Sequence, residues 1–216
     1  AFAMDLYDRG IISVEETGGL NLEWGNTEAM NELIIRIGNG DGWLGKTLSK
    51  GLKIAAEEIG RGAEDFAYHV KGLAMTAMDP RGFKASGLGY AISNRGSDFT
   101  SIYARPEYSF SPERARELFG TKKAASRLVE EGKAKLVKRS AIVSAIVDSL
   151  GICKVPMLSL VEDYDLSLAA KLATKVLGEE FNRECLLSIG ERIVTGERMF
   201  NVRVGLTGED DVLPNK

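Results

Sequence analysis

The stretch SAIVSAIVDSLGICKVP, residues 140–156, sets a carboxylate, a thiol and an ammonium close together: Asp148, Cys153 and Lys154. Ile142, Val143, Ile146, Val147 and Leu150 recur at helical spacing, so the stretch begins as a helix with one apolar face. Gly151 suits a left-handed helix end, and Pro156 is expected to prevent early resumption. Asp148 therefore falls in the last helical turn, where the carbonyl dipoles already make the helix end negative. A carboxylate there calls for a partner. Two readings follow. In one, Cys153 is a small buried hydrophobe at a helix end. In the other, Asp148 and the 151–154 backbone grip a polar cofactor while Cys153 ligates a metal. Spacing alone leaves both open.

Other residue types carry weaker signals. His69, the single histidine, is a possible base, or a packed imidazole bonded to a carbonyl. Arg81 and Arg95 are each followed by a glycine and could hold an anion such as a phosphate, or pair with nearby carboxylates. GNGDGWLG (38–45) lacks the Lys-Ser/Thr ending of a P-loop and reads as a turn between helices. GEDD (208–211) reads as a solvated acidic loop, and Cys185 as a core residue on a helix.

The elements that position these residues are helical. Helices are expected over 2–9, 27–37 (cap Asn26 or Thr27; face Met30, Leu33, Ile34, Ile37), 44–59 and 63–68. Others are expected over 112–119 behind a Ser111 cap, over 122–131 behind Thr121, over 134–150, over 166–177 behind Asp165 and from 183 behind Asn182. Residues 11–25 read as a loop with a short extended piece at NLEW. Residues 72–110 are the least helical, with a turn at DPRG (79–82) and room for a short helix or short extended segments. VKR (137–139) reads as a solvated face. The fold expected is all-α and multihelical, in two packed groups dividing near residues 70–80.

The chain has 216 residues, 44% hydrophobic and 27% charged, an ordinary balance for a globular protein with a real core. A net charge of −3 offers no basic surface for nucleic acid, and the short apolar runs span no membrane. Two cysteines make no disulfide framework, which fits a reducing cytoplasm. Without a Cys-x-x-Cys, the chain cannot itself supply the four thiolates an iron–sulfur cluster takes.

DSLGICK (148–154) resembles the Asp-x-x-Gly-Leu-Cys-x motif of the tungsten-containing aldehyde:ferredoxin oxidoreductase family. HVKGLAMTAMDPRG (69–82), GLGYAISNRG (87–96) and ERMFNVRVGLTGEDDVLP (197–214) are similar to that family too, in the same order. The resemblance implies the two C-terminal helical domains of that fold: residues 1–75 as the remainder of a middle domain, residues 76–216 as the C-terminal domain carrying the motif. It also implies that Asp148, Ile152, Cys153 and Lys154 contact a tungsten bis-pterin (tungstopterin) and that Cys153 is the fourth ligand of a [4Fe–4S] cluster. The complete enzyme would oxidise a small aldehyde to a carboxylic acid and pass electrons to ferredoxin, with tungsten, or molybdenum in its place. The family's β-rich pterin-binding portion and its cysteine cluster precede this stretch, so the chain reads as a fragment whose missing N-terminal portion is a partner. On its own it is expected to hold no cofactor; the complete protein could form a homodimer.

Three positions depart from the family. NRGSDF places Phe99 where many members carry a histidine, Ser101 stands at a position that is often basic, and no histidine lies near Asn31, where some members bind an intersubunit iron. Phe99 would make a pocket wall more apolar and remove an acid/base group. No catalytic residue is assigned. The rival reading is a stand-alone helical module for binding or assembly, without cofactors.

Overall fold

The structure, a computed structural model, describes residues 1–214, so the last two residues of the expected 76–216 domain lie outside it. The fold is all-α, its only sheet among the described residues being one two-stranded hairpin. The chain divides into two compact units, Ala1–Met75 with Pro214, and Thr76–Leu213.

In the first unit, α1 (Phe2–Asp8), α2 (Thr27–Asn39), α3 (Gly42–Leu48) and α4 (Leu52–Ile59) enclose Leu6, Ile12, Leu22, Leu33 and Leu44. Asn26 caps α2 by accepting from the Ala29 N–H, and Gly40 ends it in the left-handed region. No strand forms at NLEW; Leu22 is instead a buried anchor for the loop. The expected helix 44–59 is two helices, because Gly51 takes φ 92° and ψ 161°, open to glycine alone. The α2 core face is Ala29 and Leu33, while Met30 and Ile34 are exposed. Residues 63–66 form a 3₁₀ turn that leads into β1 (His69–Val70), paired antiparallel with β2 (Leu73–Ala74).

The second unit is built on α8 (Lys133–Ser149). Before it come α5 (Lys84–Ile92), α6 (Pro106–Ser109) and α7 (Pro112–Phe119); after it come α9 (Ser167–Leu177) and α10 (Arg183–Arg203). From Ser140 to Val147 α8 is buried on nearly every side, the mark of a central helix. VKR is accordingly no solvated face: Val137 is buried and burial lowers the Arg139 pKa, while Lys138 is exposed. α10 crosses α8 at Gly190, where a Cβ would stand 2.7 Å from the Ile142 carbonyl oxygen.

Ser111 and Asn182 cap their helices as expected. Behind Thr121 only a 3₁₀ turn forms, Lys122–Ala125. At α9, Asp165 accepts from the Ser167 N–H, but the buried Asp163 receives those of Leu168 and Ala169. Burial raises the Asp163 pKa. Leu172, Val176 and Leu177 face outward, and small alanines, Ala169, Ala170 and Ala173, form the packed face. Glu107 is fully buried and caps α5 across the fold by accepting from the Ala85 and Ser86 N–H groups.

Candidate functional site at the end of α8

The chain leaves α8 through a tight turn. The Gly151 N–H donates to the Asp148 carbonyl at 2.9 Å, the Ile152 N–H to that of Val147 at 3.1 Å, and Gly151 has φ 68°. Ile152 then packs, half-buried, against the core. Helical structure resumes at once, contrary to the expected effect of Pro156. Residues Val155–Leu160 wind as a π-helix with the proline in its first turn, where a missing N–H costs nothing. Met157 and Leu158, both buried, anchor that turn. Cys153 is left exposed between the two helices.

The partner that Asp148 requires comes from within the loop. The Lys154 ammonium meets the Asp148 carboxylate, closing the turn with an ion pair. The lysine side chain is 10% exposed and the aspartate side chain 58%, so the carboxylate keeps an open side. The Cys153 N–H makes no hydrogen bond among the described residues. A Cβ on Gly151 would meet nothing within 4 Å, so the backbone is open to approach there.

Asp148 also lines a cavity of about 930 Å³ between α5, α8 and α10. Its floor includes Val137, Ala141 and Ile142, and its polar rim includes Arg95, Ser101 and Arg198. Arg95 is engaged by Asp98, Thr100 and Ser101, and Arg198 holds Asp211 through two nitrogens at 3.0 and 2.8 Å. Arg81 pairs with Asp79 at 2.6 Å. Both arginines singled out in the sequence thus lie in local ion pairs. The acidic loop is internally used as well, with Asp210 in a capping box with Thr207. Among the described residues no group of three or more His, Cys, Asp or Glu could hold a metal by itself.

The remaining candidates fall elsewhere. Cys185 is exposed in the first turn of α10, and so is no core residue. His69 lies on β1 of the first unit. Its Nδ1 is buried without a hydrogen-bond partner among the described residues, and burial, followed by the nearby Lys53 charge, lowers its pKa. Phe99 is half-exposed and lies against the Tyr103 ring, centroids 5.8 Å apart.

The sequence did not expose the clamp on Tyr103. Its N–H donates to Ser144 Oγ on α8 at 3.3 Å, and its hydroxyl shares a 2.8 Å hydrogen bond with Ser159 on the π-helix. Its carbonyl accepts from the fully buried Tyr164 hydroxyl at 2.6 Å. One tyrosine thereby ties together both flanks of the Asp148–Lys154 turn. Nothing local in YARPEY marks it, since all three bonds reach at least 41 residues along the chain. No helix among the described residues is long and apolar enough to cross a membrane.

A family model described as aldehyde ferredoxin oxidoreductase, domains 2 and 3, matches residues 1–216. The tungsten-containing aldehyde ferredoxin oxidoreductase of Pyrococcus furiosus is 37% identical over 221 residues, covering 100% of this chain and 34% of that protein. That of Thermococcus kodakarensis is 34% identical over 220 residues, with the same coverage. An aliphatic sulfonate oxidoreductase, WOR-like subunit, of Pyrococcus furiosus is 31% identical over 143 residues, 63% of this chain and 23% of that one. Among solved structures, the active site complex BamBC of benzoyl coenzyme A reductase, with 1,5 dienoyl-CoA, superposes with a TM-score of 0.69 at 23% identity. It covers 99% of this chain and 36% of its own, a likeness of fold. The chain thus spans about a third of the length of the first two relatives.

Proposed function

The chain belongs to the aldehyde ferredoxin oxidoreductase family, and from that premise we propose that it is the C-terminal helical portion of a tungstopterin enzyme that oxidises small aldehydes to carboxylic acids. In this reading residues 1–75 are the remainder of the middle helical domain and residues 76–216 the C-terminal one. When bound, a tungstopterin would supply the two-electron oxidation of the aldehyde with water as the oxygen source, and a [4Fe–4S] cluster held in part by Cys153 would provide the one-electron exit toward ferredoxin. The N-terminal portion of the same protein supplies the other cluster thiolates. The setting proposed is the cytoplasm, where such a thiol stays reduced.

The residues present suit these groups. A carboxylate accepts hydrogen bonds only, and the exposed side of Asp148 suits the N–H groups of a pterin ring. The open Gly151 backbone and the free Cys153 N–H let a flat polar ring approach closely. Ile152 supports the turn from below, and Lys154 balances charge at the carboxylate. The exposed Cys153 thiol is available as one soft ligand to iron. The observation that carries the proposal is this pairing in one six-residue turn: an open carboxylate lining a cofactor-sized cavity, five residues from an exposed thiol.

Metal analysis of the complete protein separates the two roles. Cys153→Ser is expected to lower iron and stop electron exit while tungsten is partly kept. Asp148→Asn is expected to keep iron and weaken cofactor retention by one to two decades, the equivalent of ~1.5–3 kcal/mol for a hydrogen bond to a charged group. Full tungsten and activity in Asp148→Asn would reduce the carboxylate to a helix end. Full iron in Cys153→Ser would reduce the thiol to a surface residue.

A further inference from the structure

A second, much smaller cavity of about 120 Å³ adjoins the large one. Ile102, a buried residue, lines both and so forms part of the partition between them. The other walls of the small cavity include Met78, Tyr90, Phe99, Tyr103 and Tyr108, with Arg105 and Ser86 beside them, the Ser86 hydroxyl being spent on Glu107. Most polar tips in this set are occupied. The Tyr90 hydroxyl is 2.8 Å from Thr76 Oγ1, the Tyr103 hydroxyl is held by Ser159, and Arg105 pairs with Glu162 at 2.9 Å. What remains for a guest is largely ring faces, a thioether and an aliphatic branch, an environment for an apolar group.

The walls are also stiff. Tyr103 is fixed through its N–H, carbonyl and hydroxyl to α8, Tyr164 and the π-helix. Gly89 lets α5 close onto Ile102, since a Cβ there would come within 3.2 Å of Ile102 Cγ2. A pocket of fixed walls selects by size. An apolar cavity of about 150 Å³ holds benzene. The present one is smaller but open beside the exposed Phe99, so it seats at most one six-membered ring, with any polar tail in the opening.

We propose that this cavity seats the organic group of the substrate, restricting it to aldehydes bearing at most one ring, with Phe99 and Ile102 setting the limit. The inference rests on the aldehyde-oxidising reading above, because it takes the larger, Asp148-lined cavity for the cofactor side of the partition. Phe99 is the outer boundary, being 39% exposed and held to the rest by its contact with Tyr103. It is a specificity residue, with no proton to give or take.

The test uses the complete protein with ¹³C-labelled methionine methyl groups, so that Met78 reports on the cavity. Benzyl alcohol serves as a neutral probe of ring binding, and 2-naphthalenemethanol as a two-ring probe. In the wild type, benzyl alcohol should shift the Met78 methyl saturably and the two-ring alcohol should not. In Phe99→Ala, the two-ring alcohol should bind too. The preference in kcat/KM for benzaldehyde over 2-naphthaldehyde should also fall about two- to tenfold, the scale of one lost aromatic contact. A silent Met78 with benzyl alcohol, or an unchanged preference in Phe99→Ala, would overturn the proposal whatever the turnover. Probe binding in a metal-loaded wild type that oxidises no aldehyde would overturn the functional reading, and with it the identity of the guest as substrate.

Discussion

Glu107 and Lys133 are both buried, with charged atoms 4.0 Å apart and no direct hydrogen bond between them. Each is satisfied separately. Glu107 accepts from the Ala85 and Ser86 N–H groups and the Ser86 hydroxyl at 2.7–3.0 Å. Lys133 donates to the carbonyls of Ala124 and Ser126 at 2.8 Å. The pair joins the start of α5 and the 122–126 turn to the start of α8, and burial lowers the Lys133 pKa.

Glu107→Ala is expected to be among the most damaging single changes in the second unit. It strands two helix N–H groups and leaves the Lys133 ammonium without its counter-charge, a loss of about 3–5 kcal/mol. Glu107→Gln keeps one acceptor and should cost less. Urea unfolding of the two variants checks the order; equal and small losses would mean that the carboxylate is dispensable.

Two glycines of α10 should respond oppositely to alanine. At Gly190 a Cβ meets the Ile142 carbonyl at 2.7 Å and Ile146 Cγ1 at 3.0 Å, so the α8–α10 crossing must open, at about 1–3 kcal/mol. At Gly196 nothing lies within 4 Å, and alanine should stabilise by about 0.5–1 kcal/mol through helix propensity alone. Thermal unfolding reads both signs in one series.

His69 gives a pH prediction for the first unit. Its folded pKa lies below the usual 6.5, through burial and then the Lys53 charge, with Glu57 opposing. The unfolded chain therefore binds the proton more readily. The imidazole's contribution is fully present above about pH 6.5 and is lost as pH falls through the folded value. Unfolding free energy measured between pH 7.5 and 5 should fall more steeply in the wild type than in His69→Gln. NMR titration of this sole imidazole should give a midpoint below 6.5; a midpoint at or above it would remove the premise.

What the sequence disclosed and what it hid divide along physical lines. Asn26, Ser111 and Asn182 could be read because a cap bonds within three residues of itself. The motif around Asp148 could be read because its elements are contiguous. Glu107 and Tyr103 were hidden because their partners lie 21 to 61 residues away. Asp165, the α9 cap that the sequence predicts, does only part of the capping, since Asp163 reaches the helix from further back. Leu172 and Val176 stand at helical spacing yet face outward, because alanines let α9 pack more closely on its other face. Cys185 was assigned to the core by residue type, whereas the first turn of a capped helix faces outward there. Nothing local distinguishes Gly51, which breaks a helix, from Gly190, which permits a crossing.

The ion pair that closes the Asp148–Lys154 turn carries a consequence for assembly. It makes a small ring of backbone and side chain, anchored below by Ile152, Met157 and Leu158. The turn therefore has its shape before any ligand arrives, and the entropy of ordering it is spent during folding rather than on capture. A cofactor entering such a receptor meets preorganised groups and gives up none of its binding energy to tame a loop. Breaking the ring with Lys154→Met removes the ammonium but leaves the Asp148 carboxylate, the Cys153 thiol and the turn backbone chemically intact, so the penalty should fall on how fast and how tightly a cofactor is taken up, not on the chemistry that follows.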